Sequence, residues 1–205
     1  SGRRAELLCP EQIQVPEVSL VDKKKIVLKH VSRSDVARVS EWLSVEEVVD
    51  SWFGRYSYGD PAHLGYDPQN AVELPDSRWN EIFENPEHRI FSIYTIEGNH
   101  IGETHIAIEE SLGDGQISIL IGDKEQWHQG YGRAALKATL EISFNEYELY
   151  RVWADIPVYN IAAKNMFAHF GFTHEGTLRQ SRPHEGSRHD SVVMGMLATE
   201  YYPAD

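Results

Sequence analysis

Two constellations in this 205-residue chain have residue types and spacing suited to chemistry. The first is WHQGYGRAALKATLEISF, Trp127 to Phe144, where a polar loop carrying Gly130 and Gly132 runs straight into a helical pattern just after the apolar run ISILIG. A helix start exposes unpaired N–H groups and the positive end of the helix dipole, so glycines there let a phosphate approach the backbone closely. The second is Glu103 and His105 in HIGETHIAI. At i and i+2 of a strand they share one face, either toward a cleft or toward solvent.

A phosphate at that helix start fits two chemistries. Gly130-x-Gly132-x-x-Ala135, with Asp155 some 20 residues on to hold a ribose, matches a dinucleotide fingerprint. Against it, the seven residues DKEQWHQ separate Gly122 from Gly130, and 50 residues after Asp155 are too few to complete a doubly wound sheet. The other chemistry is an acyl-CoA pyrophosphate bound by successive N–H groups of the loop and first helical turn.

The elements that must position these residues follow from periodicity. KIVLKHV (25–31) is a first strand, Ser34 to Leu43 repeats apolar residues at helical spacing, and SVEE from Ser44 is a capping box for a second helix through Trp52. Residues 53–75, rich in aromatics, glycine and proline, are expected either as a lid or substrate loop, since loops this long are uncommon without a function, or as a surface insertion packed by its own tyrosines. SRWNEIFEN is a short helix, and RIFSIYTI with HIGETHIAI forms a hairpin turning at Gly98-Asn99. A turn at LGDG leads to strand QISILIG, a helix from Gly130 to Asn145, strand YRVWADI, a helix over Ile161 to Phe170, and closing strands FTHEGTLRQ and HDSVVMGML. The order implies a mixed α/β (α+β) domain over 24–205, with residues 1–23 as an N-terminal extension.

Composition narrows the function. A net charge of −13 and no basic stripe exclude a nucleic-acid surface and favour cationic partners. No apolar run reaches the roughly 18 to 20 residues of a membrane span, and the polar start lacks a signal-peptide core, so no membrane role and a cytoplasmic location are expected. A single cysteine rules out an intrachain disulfide. Ten histidines show no metal-binding spacing, so no metal is expected, and no Gly-x-Ser-x-Gly elbow supports a hydrolase.

IGDKEQWHQGYGRAAL resembles the strand-loop-helix signature of the GNAT superfamily of acyl-CoA-dependent N-acyltransferases, with Trp127 where a Gln or Arg is usual, as in the RimJ/RimL-like branch. VYNIAAKNMFAHFGFTHEGTLR is similar to the family's second segment, with Asn160 at its helix start, Gly171-Phe172 at the exit, then Glu175-Gly176 and Arg179. The resemblance implies a GNAT-like fold, a mostly antiparallel sheet splayed at the CoA site with helices on both faces. It implies acetyl-CoA as cosubstrate and an amine acceptor, either a protein N-terminus or a small molecule, and leaves a homodimer open. It assigns phosphate binding to the backbone of Gln129, Gly130, Tyr131, Gly132 and Arg133, pantetheine pairing to Leu120, Ile121 and Gly122, and a CoA contact to Asn160. The family's tyrosine acid is replaced by Phe167, and QISILIG lacks its strand carboxylate. Glu103 and His105 are then the candidates for base, Tyr159 and His169 substitutes for the acid, and transfer by positioning alone a further route. The alternative is a CoA-binding sensor or interaction module without catalysis.

Overall fold

The computed structural model describes residues 26–52 and 66–201. Seven strands form one sheet in the order β1-β2-β3-β4-β5-β7-β6. They are β1 Ile26–His30, β2 His88–Thr95, β3 His100–Glu109, β4 Asp114–Ile121, β5 Arg151–Pro157, β6 Thr173–His184 and β7 Ser187–Leu197. The described helices, numbered in chain order, are α1 Arg33–Trp42, α2 Glu46–Trp52, α3 Pro68–Ala71, α4 Asp76–Phe83, α5 Tyr131–Glu141 and α6 Ile161–His169. A π-helical turn, Ile142–Glu146, continues α5 to nearly the length its periodicity predicts.

Every neighbouring pair of strands is antiparallel except β4 and β5. These two run parallel and pair only through Asp114↔Arg151, Gly115↔Val152 and Gln116↔Trp153. Beyond Gln116 they part, so the sheet opens into a V at the end of β4 that feeds α5.

Both faces of the sheet are covered, which is why Ile101 to Ile106 of β3 are buried without alternation. On one face, Thr104 bonds Thr139 of α5 at 2.8 Å, and Ile106 joins Ala135, Leu136, Phe167 and Phe172 in the main core. On the other, Leu120 packs with Val39 of α1, Leu43 at its C-cap, and Val48 and Val49 of α2. The helix starts depart from expectation by one turn chemistry. The capping box forms at Ser32 with Asp35, whereas the Ser44 hydroxyl turns back to the Glu41 carbonyl at 2.6 Å. Asp35 also accepts from Ser92 at 3.0 Å and Tyr94 at 2.5 Å, tying α1 to β2. Burial alone would raise its pKa, but the Tyr94 and Ser32 donors hold it below the ordinary value.

The expected lid, 53–75, lies outside the described residues up to 65. Its described end is packed onto the domain: Tyr66 is 1% exposed and Asp67 caps α3 through Gln69 N at 3.0 Å.

Candidate functional site

The cavity at the parting of β4 and β5 is a slot of about 60 Å³. Gln116 to Ile119 form one wall, Ala154 to Pro157 the other, and Asn160, Ala163, Met166 and Phe167 of the α6 region close it. Register fixes which face each wall residue presents. Ser118 opposes His105 and Leu120 opposes Glu103, and paired residues in an antiparallel ladder share a face. Gln116 pairs with Trp153, so Asp155, two residues on, falls on that face too. One row of polar side chains therefore crosses the V: Glu103 and His105 on β3, Ser118 on β4, Asp155 on β5.

Glu103 and His105 are buried rather than solvent-facing, at 0% and 6% exposure. His105 Nε2 and Glu103 Oε1 are 2.5 Å apart. The Tyr66 hydroxyl donates to both carboxylate oxygens, at 2.9 and 2.7 Å, and the Tyr66 ring stacks over His105. Burial, then the Glu103 charge, pushes the Tyr66 phenol well above its usual pKa, so it keeps its proton and donates. With the carboxylate accepting, Nε2 of His105 carries the proton and Nδ1 is the basic nitrogen. No spacing in the sequence links Tyr66 to a strand pair 37 residues away. Replacing Tyr66 with Phe is expected to cost about 1.5 to 3 kcal/mol of stability. It should also lower kcat with CoA affinity unchanged, because the carboxylate that orients His105 loses the donor that holds it. A kcat unchanged in Y66F would detach Tyr66 from the chemistry.

The two glycines of the loop differ. Gly130 caps α5 in the left-handed region, at φ 89°, which a β-carbon disfavours. Gly132 sits one residue inside the helix, and a β-carbon there would meet Met166 Sδ at 3.6 Å and Ile121 Cγ1 at 4.0 Å, ordinary contact at the mouth of the slot. Backbone conformation is thus the reason for Gly130, whereas at Gly132 the protein itself leaves room for a β-carbon. Tyr131 turns inward to the core, and Arg133 lies 5.5 Å from the Phe170 ring. The Gln129 amide donates to the Glu125 carbonyl at 2.5 Å.

The strand assignment shifts. Gly122 N–H donates to Ile101 O at 2.9 Å, and by alternation the backbone of Leu120 also faces β3. The Ile121 carbonyl accepts from the Trp127 indole at 2.6 Å. The backbone groups that face the opening are those of Ile117, Ile119 and Ile121, so of the three strand residues expected to pair with pantetheine only Ile121 has the right phase. Gly122 has a packing reason instead: a β-carbon would fall 2.1 Å from the Trp42 ring.

Asn160 lines the slot and caps α6 through Ala163 N at 3.0 Å. Phe167 lines it too, and offers no proton. Tyr159 is not among the lining residues; its ring stacks on His184 at 4.0 Å. His169 closes α6 beside Phe170. Asp155 pairs with the buried Arg182 of β6, whose pKa burial lowers. Among the described residues no group of three or more His, Cys, Asp or Glu is placed to hold a metal, and no helix is long and apolar enough to cross a membrane.

Comparison with known proteins agrees with this geometry. A model of the acetyltransferase (GNAT) domain matches residues 25–173. The chain is 20% identical over 178 residues to the spermidine N(1)-acetyltransferase of Vibrio cholerae serotype O1, covering 86% of this chain and 95% of that one. The crystal structure of spermidine N-acetyltransferase from Vibrio cholerae in complex with CoA and spermine superimposes with a TM-score of 0.71 at 19% identity, over 85% of this chain and 96% of that one. A crystal structure of a probable acetyltransferase gives 0.71 at 20% identity, over 89% and 97%.

Proposed function

We infer the acceptor from a fixed premise: the chain belongs to the GNAT acetyltransferase family and is an acetyl-CoA-dependent N-acetyltransferase. Its acceptor is a polyamine or a similarly polycationic primary amine. The observation that carries this reading is a second cavity, a groove of about 570 Å³ that shares Gln116 with the slot. Glu87, Glu109 and Glu110 rim it and attract an extended cation, while Asp114 and Trp153, also in its lining, already face Arg151, at 2.8 Å from the carboxylate and 5.8 Å from the ring centroid. The spermidine and spermine chemistry of the relatives supports the same choice. The chain's net charge of −13 favours encounter with such a substrate. Trp127 supports placement on the RimJ/RimL-like branch, and a cytoplasmic location, where the single cysteine stays reduced, belongs to the same reading.

The chemistry follows from the row across the V. The phosphates of acetyl-CoA meet the N–H groups at the start of α5, and its thioester reaches the crotch between Ile117–Ile119 and Ala154–Pro157. An amine bound over the β3 side gives its proton to His105, whose imidazole Glu103 orients and whose cation Glu103 stabilises. Free-thiol release with acetyl-CoA should be fastest with spermidine or spermine and should weaken steeply with added salt. N-terminal peptides of ribosomal proteins turning over faster than every polyamine would overturn the acceptor and leave the transferase.

A further inference from the structure

We propose that the Ser118 hydroxyl is the catalytic group that passes a proton to the departing thiolate, in place of the tyrosine that Phe167 replaces. The proposal rests on the reading of His105 as the base. Ser118 Oγ is buried and has no hydrogen-bond partner among the described residues. A buried hydroxyl left so costs about 1 to 3 kcal/mol and calls for an explanation. Ser118 lines the slot, and it is the only hydroxyl-bearing residue among those that do. The other polar lining groups differ: Asn160 Oδ1 is engaged by Ala163 N at 3.0 Å, and Asp155 is paired with Arg182.

Position supplies the other half of the argument. Ser118 and His105 are direct antiparallel partners on one face, which sets their β-carbons ~5 Å apart. No hydrogen bond joins the two in this structure, and a rotation of the serine about its Cα–Cβ bond would let the hydroxyl accept from the imidazole and donate into the slot. The steps balance. As the C–N bond forms, the amine proton moves to His105. As the C–S bond breaks, its electron pair leaves on sulfur, Ser118 gives its proton to that sulfur, and the His105 imidazolium restores the serine. The products are the amide, the free thiol, neutral His105 and intact Ser118, with no net proton exchanged with solvent.

The test uses the full chain with CoA bound, comparing wild type, S118A and S118T. Alkylation of the bound CoA thiol by iodoacetamide reads thiolate directly and needs neither acceptor nor base. At a pH below the thiol midpoint, S118A should react about tenfold more slowly than wild type, the equivalent of one pH unit of lost thiolate stabilisation. S118T should restore the rate. With acceptor present, kcat in S118A should fall about 10²-fold, at the low end for acid–base catalysis, with KM for both substrates nearly unchanged. Its melting temperature should hold or rise, since the lost hydroxyl had no partner to leave stranded. Equal alkylation rates in all three proteins, full kcat in S118A, or a lowered melting temperature would each overturn the relay. Failure there leaves the His105 assignment to be judged by its own variants, so the two readings part cleanly.

Discussion

Glu103→Gln should lower kcat by about 10² to 10⁴ while leaving CoA affinity close to its starting value. The reason lies in the direction of one hydrogen bond. In the native cluster the carboxylate accepts from Tyr66 and from His105 Nε2. A glutamine keeps one acceptor oxygen for Tyr66 but turns an amide donor toward Nε2, which forces the imidazole proton onto Nδ1 and removes the basic nitrogen. His105→Asn should be as damaging by deleting the base itself, and the double variant should be little worse than either, because the two act as a unit. Steady-state kinetics with calorimetric CoA binding separates this from misfolding. Full activity in both single variants would leave positioning and solvent as the whole mechanism.

The sequence carried the fold well because its periodicities are local. Each strand and helix expected after residue 76 is present within a few residues, and the V follows from a parallel β4–β5 pair followed by a helix that leaves from its open end. The pairing of Glu103 with His105 was legible as an i, i+2 pattern, but its environment was not. Whether that face meets solvent or a cleft depends on α1, α3 and Tyr66 packing over it from elsewhere in the chain. Leu120 and Gly122 depart from the expected cofactor pairing for a similar reason. Letters fix the strand, whereas hydrogen-bond phase, set by Gly122 bonding to Ile101, decides which alternate residues face the opening. Ser118 stood in the sequence as the absence of a carboxylate. Only its burial beside the slot, opposite His105, gives the hydroxyl a meaning.

The two loop glycines predict opposite consequences, and that contrast is the sharpest test of the CoA site. In Gly132→Val the backbone stays helical and the β-carbon fits beside Met166 and Ile121, so the expected effect comes from the γ-carbons, which crowd the first turn where phosphate is expected. Phosphate then stands off from the first-turn N–H groups. Losing one or two charge-assisted bonds of about 1.5 to 3 kcal/mol each lowers CoA affinity by roughly 10- to 10³-fold or more. The fold should survive, since a first-turn valine costs little. Gly130→Ala does the reverse. Nothing lies within 4 Å of the added carbon, yet φ 89° must be held by a residue that resists it, so about 1 to 2 kcal/mol of stability is lost with affinity nearly intact. Calorimetry and thermal melting on the pair should therefore cross over. If G132V bound CoA as tightly as wild type, the phosphates would have to lie elsewhere than the start of α5, and the loop would be only a turn into a helix.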